Sequence, residues 1–211
     1  AGLKFKSLPS VLDEKSIKEK VEIKMANSEK VFDKPFEYIV KELAKAKAYD
    51  IFNSFLDDDN SLYLDESDTP LVVLGCDSMY EFEGKILGKP KSDEEAFEMI
   101  KSYIGKSGVL HTGHYLITKD ETARITVSTK ITFGDISDEE IWWYIKTGEP
   151  RKVAGAFAID SFGSAYISEI EGDYHNIVGV SVHAVRNLFK QCGLNWLDYM
   201  DPSLIEEDLL D

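Results

Sequence analysis

The sequence predicts an α/β fold, a single domain in which a mixed sheet is flanked by helices. Three observations point there. The chain has 211 residues, 43% of them hydrophobic, enough to bury a sizeable core. Helix signals and strand signals alternate along it, with no internal repeat and no low-complexity linker. Some consecutive strand signals are separated only by turn residues and others by a helix, which combines hairpins with longer connections in one sheet.

The first clear helix begins at Asp33, whose carboxylate suits an N-cap, with Pro35 in the first turn. Phe36, Val40, Leu43 and Ile51 then share one face at helical spacing. Lys47 lies at the centre of that apolar stripe, whereas Lys41 and Lys45 point away. A lysine so placed snorkels, pairs or binds something, and periodicity alone favours snorkelling. Residues 71–74, Leu-Val-Val-Leu, read as a short strand covered on both faces. Its carboxyl end delivers Gly75, Cys76 and Asp77, where open α/β sheets bind ligands. Taken alone, Asp77 is more simply a cap or turn aspartate.

Residues 81–90 read as a hairpin turning at Glu83-Gly84 and running into Gly88-Lys89-Pro90. Ser92 and Glu95 form a capping box for a helix that ends near Gly105. Strands follow at 109–118 and 122–133 around the turn Lys119-Asp120-Glu121. Ser137 and Glu140 make a second capping box, and Gly148 closes that helix. Residues 153–159 and 165–170 suggest a further strand pair around Phe162-Gly163, and a last helix covers 182–193. Residues 1–194 thus read as one domain and 195–211 as an acidic tail. Trp196, Leu197, Tyr199 and Met200 in that tail are apolar and should dock on their own domain or on a dimer mate.

Charge narrows the function. Against 24 Lys and Arg stand 39 Asp and Glu, a net charge of −15, and such a surface repels polyanions. Wrapping of DNA or RNA is therefore not expected, though a small phosphorylated substrate is compatible if lysines and a divalent cation offset the field locally. The acidic runs at 57–59, at Asp65, Glu66 and Asp68, and in the tail are expected as solvated loops or chain ends. Two cysteines, Cys76 and Cys192, make no disulfide framework and read as buried thiols. No run approaches the ~18 apolar residues of a membrane span, and no signal peptide is visible, so a cytoplasmic setting is expected.

The familiar nucleotide loops, GxGxxG and Walker A, are absent. His111 and His114 sit at odd spacing on one strand and should face opposite sides, while His175 and His183 are isolated. There is no zinc pattern and no nucleophile elbow. What remains is a carboxylate at a strand end, lysines able to converge on it, and glycine-bearing turns. These are ingredients of metal-assisted phosphoanhydride cleavage, but they do not single out a reaction.

The order of short motifs resembles the Maf (septum formation inhibitor) family. Ser10-Val11-Leu12-Asp13-Glu14 resembles its early Asp-Glu motif, and Leu43-Ala44-Lys45-Ala46-Lys47-Ala48 its Leu-Ala-x-x-Lys-Ala helix. Gly75-Cys76-Asp77-Ser78 is similar to its Ala-Asp-Thr strand end, and Leu87-Gly88-Lys89-Pro90 to its Gly-Lys-Pro loop. Thr147-Gly148-Glu149-Pro150, Ala154-Gly155-Ala156-Phe157 and the stretch from Gly172 to Gly179 follow in the family's order. Each is unspecific alone; in sequence they are hard to obtain by chance.

The resemblance implies a two-lobed α/β fold with a deep cleft, similar to the inosine triphosphate pyrophosphatases, and a homodimer. It implies hydrolysis of a nucleoside triphosphate to monophosphate and pyrophosphate with Mg²⁺ or Mn²⁺, on dTTP and UTP or on a modified nucleotide. It casts Asp77 as the general base and as a metal ligand, Glu14 as a second metal ligand, and Lys47 and Lys89 as phosphate-binding. Ser78 and Asp160 fall where the family reads the base, and they depart from the common Thr and Gln, which leaves base preference open. Val153 stands where the family has Lys. The family's opening strand and Ser-x-x-Arg loop would precede Ala1-Gly2-Leu3. The Ala156-Phe157-Ala158-Ile159-Asp160 form, with Thr112-Gly113-His114, looks like the actinobacterial branch. Two other classes stay in view: a non-catalytic nucleotide-binding regulator of septum formation, and an interaction protein using the acidic tail.

Overall fold

A computed structural model describes residues 2–56 and 71–204. The acidic runs at 57–59 and 65–68, and tail residues 205–211, lie outside them. Two helices come first, α1 (Glu14–Ala26) and α2 (Pro35–Leu56). The hairpin β1 (Val73–Phe82) and β2 (Lys85–Leu87) leads through α3 (Asp93–Tyr103) to the long hairpin β3 (Ser107–Ile117) and β4 (Thr122–Phe133). After α4 (Asp138–Lys146) and a run of short 3₁₀ turns come β5 (Ile167–Glu171), α5 (Tyr174–Val178) and α6 (Val182–Gln191). The α/β class holds.

The strands form one sheet in the order β2-β1-β3-β4-β5. All four pairings are antiparallel, so the expected mixture of strand directions is not found among them. The one parallel pairing among the described residues is an isolated bridge between Ile104 and Phe133. The connection from β1 to β3 passes through the β2 turn and α3, and this returns the chain antiparallel. At the tight turn, Glu83 (φ 49°) and Gly84 (φ 74°) both have positive φ, the two-residue geometry whose twist suits a hairpin.

The sheet is packed differently along its length. At one end, Val73, Tyr115 and Ile117 bury against Ala44 and Ala48 of α2, and on the opposite face Leu116 and Ala123 bury against Val185, Leu188 and Phe189 of α6. At the other end Tyr80, Phe82, Leu110, Ile131 and Phe133 carry α3 and α4 through Ile100, Tyr103, Ile141 and Tyr144. Two lobes therefore share one set of strands. In the tail, Trp196 and Tyr199 lie edge-on to Phe189, and Met200 bridges to Leu3, so residues 195–204 dock on the chain itself.

Three local expectations are corrected. α2 begins at Pro35, one residue later than an Asp33 cap requires. Residues 153–159 form no strand: Gly155 (φ 74°) and Ala156 (φ 60°) adopt left-handed backbone there, which breaks any ladder. Strand β5 begins at Ile167 and pairs with β4 instead. Of the two capping boxes, that at Ser137 and Glu140 is complete, whereas Glu95 reaches the Lys91 N–H and leaves only the Ser92 half.

Candidate active site

The site begins with two glycines. A Cβ added at Gly75 would stand 2.2 Å from the Ala44 carbonyl oxygen, and one at Gly113 would stand 2.3 Å from the Val40 carbonyl oxygen. Bare backbone at both positions lets α2 lie directly on β1 and β3. Gly113 pairs across the ladder with Asp77, so the helix settles over that aspartate.

The strand reading of residues 71–74 stops too early. Asp77 does not follow the carboxyl end of a strand; it sits midway along β1. The apolar run ends at Gly75 because helix backbone, not side chains, covers that face. Asp77 lies on the same face, and its side chain is only 8% exposed.

Lys47 meets it from above. The Nζ donates to Asp77 Oδ1 at 2.6 Å and lies 2.7 Å from Glu14 Oε1, so one ammonium joins two carboxylates. Snorkelling is thereby displaced by pairing. Burial pushes the Asp77 carboxyl up; Lys47 opposes that rise and Glu14 adds to it. Burial works against the charge on Lys47 as well, but its two carboxylate partners outweigh it and hold the ammonium above its ordinary value. The result is a half-buried, three-group cluster in which the charges are matched internally except for one negative excess.

The other candidates stand apart from this cluster. Strand alternation turns Ser78 to the opposite face of the sheet, exposed, with its Oγ 2.8 Å from Thr112 Oγ1. Thr112 donates in turn to the Asn176 carbonyl at 3.3 Å, so the single Thr112 proton is committed and Ser78 must be the donor to Thr112. The Ser78 lone pairs are then left outward. Lys89 is exposed on the loop after β2, where the Gly88 carbonyl accepts from Gly155 N–H at 3.0 Å. Asp160 is exposed on the wall of an open cavity lined also by Ile159, Ser164, Ile167 and Tyr174.

Two further carboxylates, Glu149 and Asp173, have structural partners. Glu149 accepts from Tyr144 OH at 2.5 Å and from Gly163 N–H at 3.2 Å, pinning the loop that carries Asp160. Asp173 caps α5 through the His175 N–H and holds the Ser181 hydroxyl. The histidines alternate as expected: His111 faces α2, near the Phe36 ring, and His114 is buried on the other side, accepting from Ser181 N–H at 2.9 Å. The expected burial of both thiols is met only in part: Cys76 is largely enclosed, whereas Cys192 is partly exposed.

Residues to which the sequence assigns no individual role are Thr112, Asn176 and Asp50, although the first two fall within the family-like motifs. Thr112 and Asn176 are fully buried, and Asn176 ties β3 to β4 through the Leu110 carbonyl and Thr129 hydroxyl. Beyond its place in the Thr112-Gly113-His114 motif, a polar residue inside an alternating strand pattern is the signal Thr112 offers.

A family model described as Maf-like protein matches residues 1–192. The chain belongs to the Maf-like family. A nucleoside triphosphate pyrophosphatase of Prochlorococcus marinus is 33% identical over 88% of this chain and 93% of its own length. A protein of the same name from a Synechococcus species is 34% identical over 94% of this chain and 88% of its own. A dTTP/UTP pyrophosphatase of Clostridium beijerinckii is 35% identical over 78% of this chain and 82% of its own. Within this Maf-like chain, the Lys47 helix and the Asp77 strand are the two elements that the glycine contacts press together.

Proposed function

We propose that this Maf-like chain hydrolyses a nucleoside triphosphate to the monophosphate and pyrophosphate, as the names of its relatives describe for them. The observation that carries the proposal is the Lys47 ammonium bridging a buried Asp77 and Glu14. A buried carboxylate whose affinity for protons is raised is a better general base than a solvated one. In the step proposed, a water oxygen bonds to the α-phosphorus, its proton passes to Asp77, and the bond from that phosphorus to the bridging oxygen breaks, releasing pyrophosphate. Lys47 and Lys89 neutralise phosphate oxygens, Ser78 presents acceptor lone pairs, and Asp160 contributes to choice of base.

A divalent cation fits the donor set. Glu14 and Asp77 already converge on one positive charge, and both offer hard oxygens. Among the described residues no group of three or more metal-ligating side chains is found. Mg²⁺ characteristically binds through one or two carboxylates and fills its remaining positions with water and substrate phosphates. Such an ion, held by Glu14 and Asp77, would supply charge neutralisation at the phosphates and acidify water. The same reading takes dTTP, UTP or a modified nucleotide as substrate and a homodimer acting in the cytoplasm. No described helix is long and apolar enough to cross a membrane.

The deciding experiment is chromatography of products after incubation with dTTP, UTP, CTP and GTP, with Mg²⁺ or with EDTA, for the chain and for Asp77→Asn. Monophosphate with pyrophosphate, lost in Asp77→Asn and in EDTA, is the expected result. Diphosphate with phosphate would assign a different cleavage. Undiminished turnover in EDTA would remove the cation from the scheme, and nucleotide binding without turnover would favour a regulator.

A further inference from the structure

Glu14 reaches Lys47 from an exposed position. It is the first residue of α1, its side chain is 60% exposed, and α1 buries only Val21. The apolar contacts of α1 with α2, made by Val21 with the partly buried Ile17 and Met25, lie beyond Glu14 and do not by themselves fix its side chain. Residues 4–13 before it carry no helix or strand.

Asp50 supplies an anchor. It lies three residues beyond Lys47 on α2, on the same side of the helix. Its Oδ2 accepts from Ser10 Oγ at 2.8 Å and from Val11 N–H at 3.2 Å. Ser10 Oγ also accepts from Leu12 N–H at 3.4 Å, closing the turn on itself. Asp13 then caps α1 by accepting from Ser16 N–H at 3.2 Å, which sets the direction in which Glu14 leaves. Successive turns of α2 thus grip both ends of residues 10–14: Asp50 holds the beginning and Lys47 the end.

We propose that Asp50 is a positioning residue for the reaction, holding the Ser10–Val11 turn so that Glu14 stays against Lys47 and Asp77. The proposal rests on the reading of that cluster as the active centre. Asp50 touches none of the three groups itself; it acts through the chain leading to Glu14. Carboxylate acceptors bind backbone N–H and hydroxyl donors more strongly than neutral groups do, which suits a clamp on otherwise unpacked backbone.

The test compares Asp50→Ala, Asp50→Asn and Glu14→Gln in the full chain. Asp50→Ala should lower kcat/KM by about 10- to 100-fold, the scale of a misplaced catalytic group. Asp50→Asn, whose Oδ1 can accept both bonds, should recover most of that loss. In a Glu14→Gln background, Asp50→Ala should add nothing further, because both changes remove the same group; multiplied losses would overturn the proposal. A second readout needs no turnover: the rate at which Lys47 is acetylated by a small reagent. It should rise in Asp50→Ala as it does in Glu14→Gln, and stay low in Asp50→Asn. Lys47 reactivity that responds to Glu14→Gln but not to Asp50→Ala would also overturn the assignment. If the unmodified chain cleaves no nucleotide, the pyrophosphatase reading falls, and the acetylation series still decides whether Asp50 holds Glu14 in place.

Discussion

Gly113 stands directly across the β1–β3 ladder from Asp77, and its missing side chain is what admits the backbone of α2 over that aspartate. Lys47 descends from the same helix onto Asp77, so on the proposed function the closeness of helix and sheet is a catalytic dimension as well as a packing one. Gly113→Ala places a methyl 2.3 Å from the Val40 carbonyl oxygen, and Gly75→Ala one 2.2 Å from that of Ala44. Neither obstacle is a flexible side-chain tip, so the helix itself must rise. Each substitution should cost about 1–3 kcal/mol, the usual range for overpacking. It should also lower turnover in whatever fraction remains folded. Denaturant titration with an activity assay on the folded protein checks both; full activity in Gly113→Ala would show that the helix-to-sheet distance is not critical.

Lys47 occupies the place between two carboxylates that a divalent cation would take. On the proposed function, cation and ammonium would therefore compete unless phosphates draw the lysine away. Lys47→Met, which keeps the aliphatic length and removes the charge, should bind Mn²⁺ more tightly in the absence of nucleotide while turning over more slowly. Mn²⁺ titration followed by electron paramagnetic resonance reads the first effect, and product analysis the second. Weaker Mn²⁺ binding in Lys47→Met would show that the lysine supports the cation site and does not oppose it.

How far this can be seen in the sequence differs from element to element. The hairpin at Glu83-Gly84, the capped start of α4, and α6 follow from turn and cap chemistry, which is local and unambiguous. Lys47 is conspicuous because a charge interrupts an apolar stripe. Its pairing with Glu14 is not, since the turn leading to Glu14 is held by a hydrogen bond between residues forty positions apart, Ser10 and Asp50. The strand carrying Asp77 reads short because Gly75 looks like a strand end when the covering layer is helix backbone. The stretch 153–159 looks like a strand from its apolar residues, and nothing local announces the positive φ of Ala156.

Thr112 is poised to decide how Ser78 presents itself. While Thr112 spends its proton on the Asn176 carbonyl, Ser78 donates to Thr112 and shows only lone pairs outward. Thr112→Val removes that acceptor and frees the Ser78 proton for a ligand. Stability should fall by about 1 kcal/mol for the lost hydrogen bonds, since Asn176 keeps its bond from Gly179 N–H. The relative kcat/KM among nucleotides should shift toward bases that offer an acceptor at that point. Unchanged ranking across dTTP, UTP, CTP and GTP would remove Ser78 from base selection.

Cys76 gives a pH prediction whose sign follows from burial. Desolvation pushes its thiol up from 9.0 to about 12, because the buried thiolate would lose its water. The unfolded chain releases this proton earlier, so the thiol's contribution to stability is fully present below pH 9 and is lost as pH rises from there to about 12. Across that window one such group contributes a slope of about 1.4 kcal/mol per pH unit. The buried phenols of Tyr80, Tyr103 and Tyr144 are also raised and add destabilisation from about pH 10 upward, within the same window. Cys76→Ala should therefore flatten the first part of the alkaline decline without abolishing it, and iodoacetamide at pH 8 should label Cys192 well before Cys76. Denaturation midpoints between pH 8 and 11, compared for the two proteins, measure the difference. Identical alkaline slopes would mean that the thiolate finds water or a counter-charge inside the folded chain, and that the neighbouring Lys47 reaches it.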